Sequence, residues 1–220
     1  MRQRFTIAVC MLALASGVAL AQDNVPINDL KVRAEAGDRT AARQLAEAYN
    51  IGKGVEQDFK QAAHWYEVLA KKGDRYAQVS LGLMYARGYG VEKNPKAAFN
   101  WFRLAAAQGD RAAHYNLGTL HFKGEGAVQS YEEAAKHFRE AAMRGHVSAQ
   151  SDLGMLYYEG RGVAKNLQTA YYWLSVASLQ GDDIAQEQMK IVASGMPAEQ
   201  AREAATQAKE WMEKAKKTWK

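Results

Sequence analysis

Three histidines in one stretch, His114, His121 and His137, are the side chains of this sequence best suited to hold a metal ion, because neutral imidazoles supply the nitrogen ligands that zinc accepts. His114 and His121 stand seven residues apart, which puts them on one face of a helix. No carboxylate or cysteine is read at ligand spacing to them and no His-Glu-x-x-His occurs. The favoured reading is therefore of polar substitutions within one structural unit, with no metal and no cofactor expected. Nucleophilic chemistry is no better provided for. No Ser-x-x-Lys is found, so the serine and nearby amine of β-lactam-acting enzymes are missing, and the acids are scattered along the chain where a hydrolase needs them to converge. Glycine pairs at 52 and 54, 88 and 90, 124 and 126, and 160 and 162 resemble phosphate loops. They follow helical patterns and not strands, and recur as punctuation, so they read as helix stops.

What positions these residues is a repeat. Gly37, Gly73, Gly109, Gly145 and Gly181 are spaced by 36 residues, a period that signals stacked supersecondary units. Each unit places an Ala four residues after its Gly (Ala41, Ala77, Ala113, Ala149, Ala185), then Leu45, Leu81, Leu117, Leu153 or Met189, then Tyr49, Tyr85, His121 or Tyr157. That i, i+4, i+8 stripe is the buried face of a helix, here helix A. After the glycine pair come Asp58, Asn94, Ser130 and Asn166, all good N-caps for a second helix B. Ser130 and Glu133 read as a reciprocal capping box. Helix B carries Ala62, Ala98, Ala134 and Ala170, then Trp65, Trp101, His137 and Trp173. Small residues allow close helix approach while the Trp fills the space between layers. Asp38, Asp74, Asp110 and Asp182 can cap the following helices. The expected fold is all-α, a right-handed αα-superhelix (solenoid) of four full helix-turn-helix repeats, a degenerate fifth and a long C-terminal helix.

The organisation read from the sequence is a signal peptide over 1–21, an N-terminal capping segment over 22–36, and repeats over 37–72, 73–108, 109–144 and 145–180. A degenerate repeat with the closing helix takes 181–220. In the leader, Arg2 and Arg4 precede an apolar run from Phe5 to Val18 that ends in Ala19-Leu20-Ala21. That is the pattern of an export signal cleaved after Ala21, and the run is too short for a membrane span. The single cysteine, Cys10, lies within it, so the expected periplasmic or secreted protein has no disulfide. Without Arg2 and Arg4 the 29 basic residues fall to 27 against 24 acidic, interspersed along helices. That is not the footprint of nucleic-acid binding. Lys214, Lys216, Lys217 and Lys220 beside Trp211 and Trp219 complement the end of the last helix. Weak membrane contact there is the lesser reading.

The spacing of Ala, Leu-Gly, Tyr, Gly-x-Gly-Val, Asn or Asp, Ala, Trp and Ala-Ala-x-x-Gly resembles the Sel-one-like repeat family, relatives of tetratricopeptide repeats. Its clearest copy runs from Ala77 through Leu81-Gly82, Tyr85, Gly88, Gly90-Val91, Asn94 and Ala97-Ala98 to Trp101. The resemblance covers about residues 37–193 and implies an adaptor or scaffold without naming a partner. Secreted relatives in which disulfides clamp each repeat, and for which penicillin binding is proposed, differ from this chain in their cysteines.

Opposite the constant stripe of helix A lie the positions two, six and nine residues beyond its Ala. These vary: Arg43, Glu47 and Asn50, then Val79, Leu83 and Ala86, then Tyr115, Thr119 and Phe122, then Ser151, Met155 and Tyr158. In helical solenoids helix A lines the concave surface. Val79, Leu83, Tyr115, Thr119, Phe122, Met155 and Tyr158 are thus the candidate partner-binding residues, with the aromatic rings as rigid anchors for a peptide or partner protein. The competing reading buries the same side chains against the adjacent helix A. The leading function is a non-catalytic periplasmic or secreted interaction module. An envelope-acting hydrolase and a secreted host-binding virulence factor are the alternatives.

Overall fold

The computed structural model describes residues 26–217 and Trp219. The leader, Cys10 and Lys220 lie outside the described residues. Among those described there are eleven helices and no strands: α1 (Ile27–Glu35), α2 (Arg39–Ile51), α3 (Phe59–Lys71), α4 (Arg75–Arg87), α5 (Pro95–Ala107), α6 (Arg111–Lys123), α7 (Tyr131–Met143), α8 (Val147–Glu159), α9 (Leu167–Ser178), α10 (Asp183–Ala193) and α11 (Ala198–Ala215). Helices α2 to α9 form four A/B hairpins, each helix packing on its neighbours in the chain, and α11 folds back onto α9. The result is an all-α solenoid. No described helix is long and apolar enough to cross a membrane.

The helix starts follow the capping residues. Asp38, Asp74, Asp110 and Asp182 accept backbone N–H bonds in the first turns of α2, α4, α6 and α10, and Asp58, Asn94, Ser130 and Asn166 do so for the B helices. In the fourth repeat His146 takes the Asp position, its Nδ1 accepting from the Ala149 N–H at 3.3 Å. The capping box at Ser130 forms only by half. Ser130 Oγ accepts from the Glu133 N–H at 3.1 Å, but the Ser130 N–H donates to the His121 carbonyl at 3.0 Å, as the N-cap residues of the other B helices do to Tyr49, Tyr85 and Tyr157. The Glu133 carboxylate is therefore not drawn back into a box.

The first glycine of each pair is a left-handed C-cap, and in repeats two to four the second is required by contact as well. A Cβ at Gly90 would lie 2.0 Å from the Phe59 carbonyl oxygen, and one at Gly126 would lie 2.3 Å from that of Pro95. The turn of one repeat thus rests on the start of helix B in the repeat before.

The core runs the length of the stack. Leu45, Leu81, Leu117 and Leu153 are at most 1% exposed, and Tyr66, Phe102, Phe138 and Leu174 recur beside them, also buried. This second row was not read from the sequence, although its 36-residue spacing was available as a signal. A Cβ at Gly118 would sit 2.6 Å from the Phe138 ring, so the helix-A glycine is what lets that ring lie against the backbone. At the far end Trp173, Trp211 and Trp219 form a chain of edge-on rings, and the Trp219 indole N–H donates to the Met143 carbonyl at 3.1 Å.

Candidate functional site

The seven candidate residues all project from A helices and all are partly buried. They are not brought into a single patch. Val79 and Leu83 on α4 pack against the cluster around Phe102, Leu117 and Leu120. Tyr115 and Phe122 on α6 pack against the cluster around Phe138, Leu153 and Leu156, while Met155 and Tyr158 on α8 pack against that around Leu174 and Val192.

The three rows of the stripe differ. In repeats one, three and four the residue two beyond the Ala meets the helix N-cap of the next repeat. Arg43 pairs with Asp74, Ser151 with Asp182, and Tyr115 stacks on His146 with ring centroids 4.3 Å apart. Three members of this row thus contact the next cap, a relation the sequence reading missed. The pairing of Tyr115 with the one unit whose cap is His146 was the available signal. Tyr115 also lies 5.6 Å from Phe138, and burial pushes its phenol up to about 12. Burial likewise pushes the neighbouring Asp152 carboxyl up to about 6, against a hydrogen bond from the Tyr115 phenol that favours the charged form. Tyr115 is thus a junction residue between repeats.

The other two rows are freer. Thr119 Oγ donates to the Tyr115 carbonyl at 3.1 Å. Phe122 meets Tyr131 edge-on at 5.2 Å, and the Lys165 ammonium lies 5.4 Å over the Tyr158 ring. With Leu83 and Met155 these form a discontinuous apolar line along successive A helices, whose first-repeat counterpart is Glu47, its pKa raised by burial.

The histidines of repeat three are brought together, and here the expectation that no carboxylate stands at ligand spacing needs correction. Ring nitrogens of His121 and His137 and a carboxylate oxygen of Glu133 all lie within 4.8 Å of one another. Glu133 and His137 are four apart on α7 and so share its face, while His121 reaches them from α6. The His121 and His137 rings are nearly parallel at 5.7 Å, and His114 Nδ1 lies 3.2 Å from His137 Nδ1. Burial and the two neighbouring imidazoles hold His137 down at about 4, which leaves it neutral at pH 7.

Between α9 and α11 a shallow cleft is lined by Gln168, Thr169, Tyr172, Trp173 and Gln207. That lining contains neither a histidine nor a carboxylate, so the acid–base pair a hydrolase requires is not assembled there.

The repeat geometry is matched by family comparison. The Sel1 repeat profile matches residues 40–74, 75–110, 111–146, 147–182 and 203–217. The chain belongs to the Sel1 repeat family. The fifth Sel1 match falls on α11, within the segment 181–220. Among solved structures the chain is similar to a protective antigen present in uropathogenic Escherichia coli strains displaying an SLR fold, with 34% identity, TM-score 0.80, and coverage of 88% of this chain and 42% of that one. It is also similar to a Sel1 repeat protein from Oxalobacter formigenes, with 31% identity, TM-score 0.71, and coverage of 87% and 78%. The chain thus spans less than half the length of the first of these. No curated protein matches it. Sel1 repeat proteins generally mediate protein–protein interaction, and the fold is typically a non-catalytic scaffold.

Proposed function

We propose that this Sel1 repeat protein is an exported adaptor that holds an extended peptide segment of a partner protein across its A helices. Leu83, Phe122, Met155 and Tyr158 supply the apolar contacts, with Val79, Tyr115 and Thr119 framing them. One observation carries the reading: partly exposed rings and aliphatic side chains recur on successive A helices, each backed by a packed cluster. Side chains held this way meet a ligand already ordered and lose little freedom on binding. Export rests on the leader pattern of residues 1–21. Neither nucleic acid nor a bilayer is part of this reading, and no cofactor is needed for it.

The test is affinity capture from the cell envelope with the intact chain and with a Phe122→Ala/Tyr158→Ala variant. Tyr115 is spared because its ring closes a junction. The reading expects a partner retained by the first and lost by the second, with the helical signal unchanged and recovered protein beginning at Gln22. Capture that is indifferent to the two substitutions overturns the site, and a mature chain that retains the leader overturns the export.

A further inference from the structure

We propose that the third repeat carries a binding site for a divalent first-row transition ion, zinc being the probe of choice, built from His121, Glu133 and His137. The strongest argument is the internal control that a repeat protein provides. At the position of His121 the other repeats carry Tyr49, Tyr85 and Tyr157, and at that of His137 they carry Trp65, Trp101 and Trp173. At the position of Glu133 they carry Gln61, Ala97 and Thr169. Two departures from constant positions and a carboxylate at a variable one, on two helices, meet at one point.

The surrounding hydrogen bonds set the imidazoles for coordination. His121 Nδ1 lies 3.2 Å from the Val128 carbonyl. A carbonyl only accepts, so Nδ1 carries the proton and Nε2 keeps its lone pair. His137 is oriented through His114. That residue occupies the register at which the Gln78 and Gln150 side chains donate to the Ala70 and Ala142 carbonyls, and it hydrogen bonds the equivalent Ala106 backbone. The contact between the rings engages Nδ1 of both His114 and His137, so coordination by His137 falls to its Nε2. Metal-binding histidines are commonly fixed by such outer contacts. Glu133 is freed by the half-formed capping box. Its ion pair with Lys136, at 3.5 Å between side chains 43% and 67% exposed, is a weak competitor.

Two imidazoles and one carboxylate form a donor set for zinc and its neighbours in the first row. Magnesium and calcium want oxygen ligands. A tetrahedral ion with bonds of about 2.0–2.1 Å places its ligand atoms about 3.3 Å apart, so the ligand atoms, within 4.8 Å of one another, draw closer on binding. The bound ion ties α6 to α7 where the other repeats use Tyr and Trp.

The experiment is titration of the full chain with zinc chloride by calorimetry, with magnesium chloride as control and the visible spectrum of the cobalt form as a report of coordination. The expected result is one zinc per chain, no magnesium binding, and a rise in melting temperature that EDTA reverses. The variants restore what other repeats carry: Glu133→Gln, His121→Tyr and His137→Trp each weaken zinc binding at least tenfold, and His114→Gln weakens it by about tenfold through the orientation of His137. Circular dichroism confirms folding. If His137→Trp does not fold, the partly exposed Glu133→Gln decides. Absence of zinc binding in the unaltered chain, or undiminished binding in Glu133→Gln, overturns the proposal.

Discussion

Repeats two and three share a backbone and a core but close their hairpins with different chemistry. Ala77, Leu81, Gly82 and Phe102 in the one correspond to Ala113, Leu117, Gly118 and Phe138 in the other, and all are buried. Around that common frame, repeat two has Tyr85 and Trp101 with a Gln108-to-Gln78 side-chain bond of 2.8 Å. Repeat three has His121 and His137, with His114 at the Gln78 position and an Arg144–Glu140 ion pair where Gln108 would be. The stack therefore fixes small and large residues at the helix crossings and leaves the hairpin mouth open to exchange. An apolar plug there can become a polar cluster only if every polar group finds a partner. In repeat three His114, His121 and His137 each find a partner at one ring nitrogen.

The largest effect tests whether the frame really is common. Phe102→Ala and Phe138→Ala each remove a ring that is at most 2% exposed, and each is expected to cost about 3–5 kcal/mol in urea unfolding. A Phe138 variant much milder than its counterpart would mean that repeat three does not rely on the shared core.

The junctions come next. Tyr115→Ala removes a ring stacked on His146 and packed on Phe138, and a loss of about 2–3 kcal/mol is expected. Val79→Ala, at the same register of repeat two, is expected to cost about 1 kcal/mol. Equal and small losses would return Tyr115 to the open surface that the sequence pattern predicts for it.

That contrast marks what the sequence made legible. The helices, their caps and the Leu row were readable because each depends on local spacing, and a period repeated four times averages out accident. The row of Tyr66, Phe102 and Phe138 was equally periodic but is overshadowed in the sequence by the Trp or His one residue earlier. The variable stripe was legible as a set of positions on the A helices. Its division into a junction row and two freer rows was not readable, since Arg43, Tyr115 and Ser151 are defined by what they meet about thirty residues on. Glu133 was obscured by a competing local motif, the capping box, which satisfied it on paper.

The smallest effect separates two groups near the third-to-fourth junction by the sign of their pH dependence. His146 is held down at about 4 from an ordinary 6.5, chiefly by burial and then by Arg111. Its folded form resists protonation, so its contribution to stability is whole above 6.5 and is lost as pH falls toward 4. Asp152 is raised to about 6 from 3.8 by burial, with Asp182 adding to the rise and the Tyr115 hydrogen bond opposing it. The folded state holds that proton more tightly, so its contribution is whole below about 4 and is lost as pH rises through 6. The two slopes oppose each other over nearly the same window, and the unaltered chain should show little net change from this pair. His146→Asn removes one slope and leaves a chain that loses stability from pH 4 to 6, while Asp152→Asn leaves one that gains it. Each change is bounded by one proton, about 1.4 kcal/mol per pH unit. Urea midpoints at pH 4.5, 5.5 and 7 measure both. Slopes of the same sign in the two variants would break the account of this junction, and with it the contrast between Tyr115 and Val79.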